Sequence, residues 1–390
     1  MLEFLDPAFL RERQSSKWST YPPDVIPSNP AEMDFGVAPA VQQAMEAMVR
    51  AQRYGYAPRT EASPLTRLAE AFSRRMASRY GWEAPAERTV VLNDLVQAVA
   101  AAIATFSDPG DGILLQLPSY PAFLIAIGQC DRRVIANPMR DGGDRFELDT
   151  EGLGASLPDD ARLLLLCHPH NPVGRAFSRE ELRPFAELAV DRDLVVVSDE
   201  IHADLVFPGR THVPFARMFP ELAERTVTLY SATKSFNVPG LRCALMHFGT
   251  QSLRDRFRAR IPALALGTPG LPGILATLAA WEHGGPWFEA LLGVLVANRD
   301  HMLARFAAEL PGVRMHRPEA TYLAWADFGA MALPKRPFDL LLETARVAGG
   351  DGRGFGPGFE ECVRFNFATS RTILDEKIDR VVRVVRECRA

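Results

Sequence analysis

At 390 residues, 47 % of them apolar, the chain is long enough for two or three average domains and can bury a sizeable core. Its formal net charge of −4 gives no electrostatic case for nucleic acid or acidic membranes as partners. No run of about 18 apolar residues reads as a membrane span, and the N-terminus has neither a basic n-region nor an apolar h-region. The five scattered cysteines include no CxxC pair and point to reduced thiols, so a soluble cytoplasmic protein is expected.

Residues 1–40 are irregular and proline-rich. Their apolar side chains (Phe4, Phe9, Trp18, Tyr21) suit an arm packed on a domain better than a free tail. Pro39 is placed to start a helix running to about Gln52. The Tyr54-Gly55-Tyr56 stretch breaks that pattern, and a second helix is expected over Pro64 to Tyr80. From there strands and helices alternate. The strands are Val90–Leu92, Ile113–Gln116, Leu163–Leu166, Leu194–Val197 and Thr226–Tyr230; the helices are Leu95–Phe106, Tyr120–Gly128 and Arg179–Val190. The strand runs are apolar throughout, as in parallel strands covered on both faces. Ser178 and Glu181 form a capping-box pattern.

Such alternation implies an open α/β sheet, with ligands at the carboxyl ends of the strands. A long helical stretch covers Leu271 to Leu310, broken at Gly284-Gly285. Beyond it, Tyr322–Asp327 alternates like a half-buried strand. A helix over Phe338–Val347, a glycine-rich loop over Gly349–Gly358, a strand over Cys362–Phe367 and a helix to Cys388 complete a smaller α+β unit. The expected division is 1–40 as an arm and part of the small domain, 41–285 as the large domain, and 286–390 as the small C-terminal domain.

Four groups fall at strand ends. The first is Ser231-Ala232-Thr233-Lys234 with Arg242 eight residues on. Hydroxyls and an arginine suit a phosphate, and the lysine between them suits a Schiff base, so the stretch reads as an anchor for pyridoxal phosphate (PLP). The second is Asp199 in Ser198-Asp199-Glu200-Ile201-His202. A carboxylate ending a buried strand is costly unless paired. A cationic pyridinium nitrogen would pair it; the plain alternative is a helix N-cap. The third is Asn171 in His168-Pro169-His170-Asn171-Pro172-Val173-Gly174, where the histidines also allow a metal reading but lack a third ligand at the usual spacing. The fourth is Asn93-Asp94-Leu95-Val96, where a helix N-terminus makes an anion site.

With Asn171-Pro-x-Gly, Ser198-Asp199-Glu200, Ser231-x-x-Lys234, Arg242 and Arg364 in Val-Arg-Phe-Asn-Phe, the chain resembles the fold-type-I PLP enzymes of the class I/II aminotransferase superfamily. More narrowly it resembles the MalY/PatB-type cystathionine β-lyase (C–S lyase) branch. Glu32-Met33-Asp34-Phe35, Leu117-Pro118-Ser119-Tyr120-Pro121 and Lys234-Ser-Phe-Asn-Val-Pro-Gly carry that likeness. The resemblance implies a large domain with a mixed, mostly parallel seven-stranded sheet between helices, plus a smaller α+β domain.

It also implies roles. Lys234 would carry the cofactor and act as acid/base at the substrate Cα. Asp199 would meet the ring nitrogen, Asn171 the phenolic oxygen with His202 nearby, and Tyr120 the ring face. Leu95 and Val96 N–H groups, Ser231, Thr233 and Arg242 would hold the phosphate. Tyr56 would reach the phosphate of the neighbouring subunit of a homodimer. Arg364 would bind the substrate carboxylate, or else serve as a structural arginine, with Asn171 and Asp34 also at the substrate.

The branch reads Trp-Val-Ala-Asp-Met-Asp-Phe where this chain has Asn29-Pro30-Ala31-Glu32-Met33-Asp34-Phe35. In the branch that segment lies beside the substrate channel, so the resemblance implies that the change admits a bulkier or more polar S-conjugate than cystathionine. The expected reaction is β-elimination from an S-substituted L-cysteine to thiol, pyruvate and ammonia. Its rivals are aminotransfer and decarboxylation-dependent oxidative deamination of a cysteine conjugate. A non-catalytic regulator on the same fold is disfavoured by the intact lysine, aspartate and arginine.

Overall fold

The computed structural model describes residues 2–388 apart from 59, 61, 62 and 152. Seven strands form the main sheet: β1 (Thr89–Leu92), β2 (Gly112–Leu117), β3 (Arg133–Pro138), β4 (Ala161–Cys167), β5 (Val195–Asp199), β6 (Thr226–Tyr230) and β7 (Ala244–Phe248). Their order is β1-β7-β6-β5-β4-β2-β3. Only β7 runs antiparallel, to both β6 and β1. Every residue of β2, β5, β6 and β7 is buried. This is the mixed, mostly parallel α/β sheet expected, and the apolar runs exist because helices cover both faces.

Local signals set the helix ends. The Ser178–Glu181 capping box forms at the start of Arg179–Asp191. Asp94 caps Leu95–Phe106 by accepting from the Gln97 N–H at 2.8 Å. Pro64–Tyr80 ends on Gly81 in the left-handed region, φ +60°, a conformation that costs little only without a Cβ.

A second, four-stranded sheet contains β8 (Arg314–Met315), β9 (Leu323–Asp327), β10 (Gly350–Asp351) and β11 (Cys362–Asn366), in the order β8-β9-β11-β10. Helix Gly285–Glu309 packs with Arg371–Glu387 and with this sheet in one apolar cluster.

The chain departs from expectation in several places. The arm is not wholly irregular: it holds helices Pro7–Glu12 and Ser16–Ser19, and Ile26–Pro27 pairs in parallel with Val347–Ala348. β9 is buried rather than half-buried, because Trp325 on its second face packs against Phe355, ring centroids 4.9 Å apart. The helix expected over 338–347 is a short turn, Pro337–Leu340, running into a π-helical turn, Leu341–Ala345, and stopping at Arg346 with φ +57°. The glycine-rich loop includes β10 and a 3-10 turn, Gly352–Phe355. The sequence reading did not anticipate β3 or β7. The first is a half-exposed edge strand whose short apolar run, Val134–Ala136, is flanked by Arg133 and Asn137; the second is a short run interrupted by His247.

Candidate active site

A cavity of about 860 Å³ opens at the carboxyl ends of β4, β5 and β6. Its lining brings together Leu95, Val96, Tyr120, Asn171, Asp199, His202, Thr233, Lys234, Arg242 and Arg364. All of these but Arg364, which comes from the second sheet, meet because the strands beside them end on one edge of the main sheet.

Asp199 ends β5, in register with Cys167 at the end of β4. One carboxylate oxygen accepts from the Ile201 N–H at 3.0 Å, in a turn rather than a helix cap. Burial pushes the Asp199 carboxyl up to about 7; the Ile201 N–H and the Lys234 ammonium pull the other way. Behind it, Glu200 is occupied separately: it accepts from Ser198 Oγ and from the Phe215 N–H and pairs with His212 at 2.8 Å.

Lys234 leaves the end of β6 in a loop tied from both sides. Ser235 Oγ donates to Asp204 at 3.0 Å, and Asp204 also takes Arg75 and Tyr230. Asn237, at φ +56°, bonds the N–H and C=O of Met33 and the C=O of Phe35 through its amide. Lys234 Nζ donates to the Ala31 carbonyl at 2.7 Å, and Tyr322 donates its hydroxyl to the same oxygen. The amine opens on the cavity but is shielded from bulk solvent. That desolvation, with Arg364 nearby, lowers it to about 8 against the pull of Glu32 and Asp199.

The phosphate side is less uniform than expected. Thr233 and Arg242 line the cavity, and Arg242 pairs with Asp94 at 2.7 Å. The first-turn N–H groups of Leu95 and Val96 have no partner within their helix. Ser231 is buried away from the lining and donates to the Cys243 carbonyl at 2.6 Å. Tyr56 lies outside the cavity and is fully exposed.

On the substrate side Arg364 is 3 % exposed on β11, its guanidinium over the Phe355 ring at 4.9 Å. Burial lowers it to about 10. It donates to Asn171 Oδ1 and to Asn29 Oδ1. Asp34 is not part of this lining. Its carboxylate is buried against Lys17 Nζ and Trp18 Nε1, at 2.8 and 2.7 Å, so it clamps the arm and does not face substrate. The sequence reading missed Ala31, Asn237, Gly350 and Phe355 as parts of the site. Asn237 lies within the lysine motif and Ala31 within the Asn29–Phe35 segment, signals that could have flagged both.

The donor set fits a cofactor with a cationic ring nitrogen and a phosphate. Asp199 is a buried carboxylate with one backbone partner, and the ring nitrogen Nδ1 of His202 is buried without one. Burial holds that imidazole at about 3, so it is neutral. An amine, an acid for the ring nitrogen, a helix N-terminus and an arginine thus face one space.

The sheet, its carboxyl-end cavity and the lysine loop define a fold-type-I architecture. The sequence pattern of the family described as "Aminotransferase class I and II" matches residues 31–384, and the chain belongs to that family. It is 32 % identical over 376 residues to a cystathionine beta-lyase of Corynebacterium glutamicum, covering 96 % of this chain and 98 % of that one. It is also 32 % identical to the cystathionine beta-lyase PatB of Bacillus subtilis, covering 92 % of each. Among solved structures, a putative PLP-dependent beta-cystathionase from Corynebacterium diphtheriae superposes with a TM-score of 0.91 at 31 % identity, covering 99 % of each chain. Among the described residues, no helix is long and apolar enough to cross a membrane.

Proposed function

We propose that the protein is a PLP-dependent carbon–sulfur β-lyase that cleaves an S-substituted L-cysteine to thiol, pyruvate and ammonia. The observation that carries this reading is the amine of Lys234, held near neutrality in one cavity with the Asp199 carboxylate and the Arg364 guanidinium. The similarity to cystathionine beta-lyases supports it.

Lys234 would carry the cofactor, Asp199 its ring nitrogen, Asn171 and His202 its phenolic side, and Tyr120 its face. The Leu95 and Val96 N–H groups, Thr233 and Arg242 would hold its phosphate. Ser231 would act by fixing Thr233, whose N–H it accepts at 3.1 Å. Bound there, PLP supplies an electron sink for the charge that develops at the substrate Cα. The protein's own groups do the rest. Arg364 takes the substrate carboxylate through its planar fork of donors. Lys234 takes the Cα proton, and its lowered basicity leaves a share of the amine neutral near pH 7. Loss of that proton and departure of the thiolate from Cβ leave an enamine, which hydrolyses to pyruvate and ammonia.

The reading extends to a homodimer. Tyr56, Tyr54 and Leu264 are large apolar side chains left exposed, and Tyr56 would complete the phosphate site of a neighbouring subunit. The division of the chain at 40 and 285 belongs to the same proposal; Gly284 caps the helix that begins at Gly285.

The test is incubation of the holoenzyme with S-ethyl-L-cysteine. Ethanethiol and pyruvate in equal amounts are expected. Conversion of the cofactor to pyridoxamine phosphate without thiol would overturn elimination in favour of aminotransfer.

A further inference from the structure

Arg364 is gripped by two amides from distant parts of the chain. Asn171 Oδ1, in the loop after β4, accepts from Nη1 at 2.8 Å; Asn29 Oδ1, in the arm, accepts from Nη2 at 2.6 Å. Arginine has five N–H donors, so these bonds leave three, among them the buried Nε–H, which has no partner. No carboxylate pairs with Arg364 among the described residues. A buried guanidinium held only by neutral amides keeps its full charge for an incoming anion.

Asn29 itself lines the cavity. Its Nδ2 donates to no protein group among the described residues. Its backbone is fixed on both sides. The Ser28 N–H donates to the Ala348 carbonyl at 2.7 Å, and Ser28 Oγ accepts from the Asn366 N–H at 2.9 Å. Beyond it, Asn366 Nδ2 donates to the carbonyls of Pro30 and Glu32. Gly350 leaves the flank of the guanidinium clear. A Cβ there would stand 3.2 Å from Arg364 Cβ, 3.4 Å from its Nε and 3.5 Å from Asn29 Oδ1.

We propose that Asn29 is a specificity-determining residue for the substrate carboxylate: it fixes the guanidinium of Arg364 against the arm and offers its own amide N–H₂ to the same anion. This rests on the reading of Arg364 as the carboxylate binder. The residue type matters at this point. A carboxylate at position 29 would satisfy Arg364 internally and compete with substrate. An apolar side chain would leave Nη2 without its acceptor and the planar fork without its second support.

The experiment compares binding of L-alanine and of L-alaninamide to the holoenzyme by calorimetry; neither ligand has a leaving group, and only the first has a carboxylate. Asn29→Asp, which is isosteric, should weaken L-alanine about 100-fold and Asn29→Ala about 10-fold. L-alaninamide should change less than about 2-fold in both, as expected when no charged contact is lost. With S-ethyl-L-cysteine the loss should fall on KM while kcat is kept. Melting temperature and visible cofactor absorbance identify a variant that fails to fold, in which case the other variant decides. Equal weakening of both ligands, or of neither, overturns the role of Asn29. A wild-type protein that binds L-alaninamide as tightly as L-alanine overturns instead the reading of Arg364.

Discussion

The two walls of the cavity are built differently. On the cofactor side, Asn171, Asp199 and Lys234 each follow a strand of one sheet, and their spacing is the spacing of its ladder. On the substrate side, Gly350 and Arg364 are partners in the antiparallel β10–β11 ladder, while the arm that carries Asn29 and Ala31 is docked on them by a parallel two-residue ladder and a few side-chain bonds. The first wall inherits its geometry from backbone hydrogen bonds that any apolar strand would make. The second depends on particular side chains: Asn237 and Asn366 saturate backbone groups of the arm, and Ser28, in the arm, bonds the N–H and C=O of Asn366. Chemistry common to a family suits the first kind of wall, and selection among substrates suits the second.

Perturbing each wall should separate these contributions. The largest effect is expected from Lys234→Ala, which should lower kcat at least about 1,000-fold, since a positioned acid/base contributes that much. It should also abolish the visible absorbance of the bound cofactor; a variant with normal turnover would remove Lys234 from the mechanism.

A graded effect should follow from the basicity of the same residue. Protonation below about 8 converts the Lys234 amine to ammonium and removes the nucleophile. The rate at which PLP bonds to the cofactor-free protein should therefore fall about tenfold per pH unit as pH drops below that value. A rate flat through this range would show that the enclosing wall does not set the basicity of the amine.

The smallest effect should come from Asn366→Ala on the other wall. It removes the donors to Pro30 and Glu32 and the acceptor for the Ala368 N–H. About 1–3 kcal/mol of stability should be lost in denaturant melts, with substrate affinity reduced and the cofactor spectrum kept. A shifted spectrum would mean that the walls are not independent.

The same contrast explains what could be read from the residues alone. An apolar run that stops at Asp199, Asn171 or Lys234 marks both a strand and its carboxyl end, so position and chemistry are encoded within a few residues. The helix at Leu95 is similarly local, through its Asp94 cap. Asn29 and Arg364 are 335 residues apart, and nothing near either announces the other. Asp34 carries no local sign that its carboxylate turns to Lys17 and Trp18. Nor does Ser231 reveal that its hydroxyl is committed to Cys243 across the strand pair. Side chains whose direction depends on how distant segments dock are the part that periodicity and spacing do not reach. The π-helical turn at Leu341–Ala345 is a further case, since its end at Arg346 is set by the strand that follows and pairs with the arm.

That pairing orders events in time as well as in space. Ile26–Pro27 and Ser28 leave the ribosome well before Val347–Ala348 and Asn366, the groups they pair with. Domains tend to fold as the growing chain supplies them. The main sheet can thus be complete while the arm still lacks its partner strand. Trp18 and Ile26, buried against Ile373 in the finished molecule, stay uncovered until then. Arg364 meets its two amide supports only once the later segment has docked, so a nascent chain has its cofactor wall before it has any means of gripping a substrate.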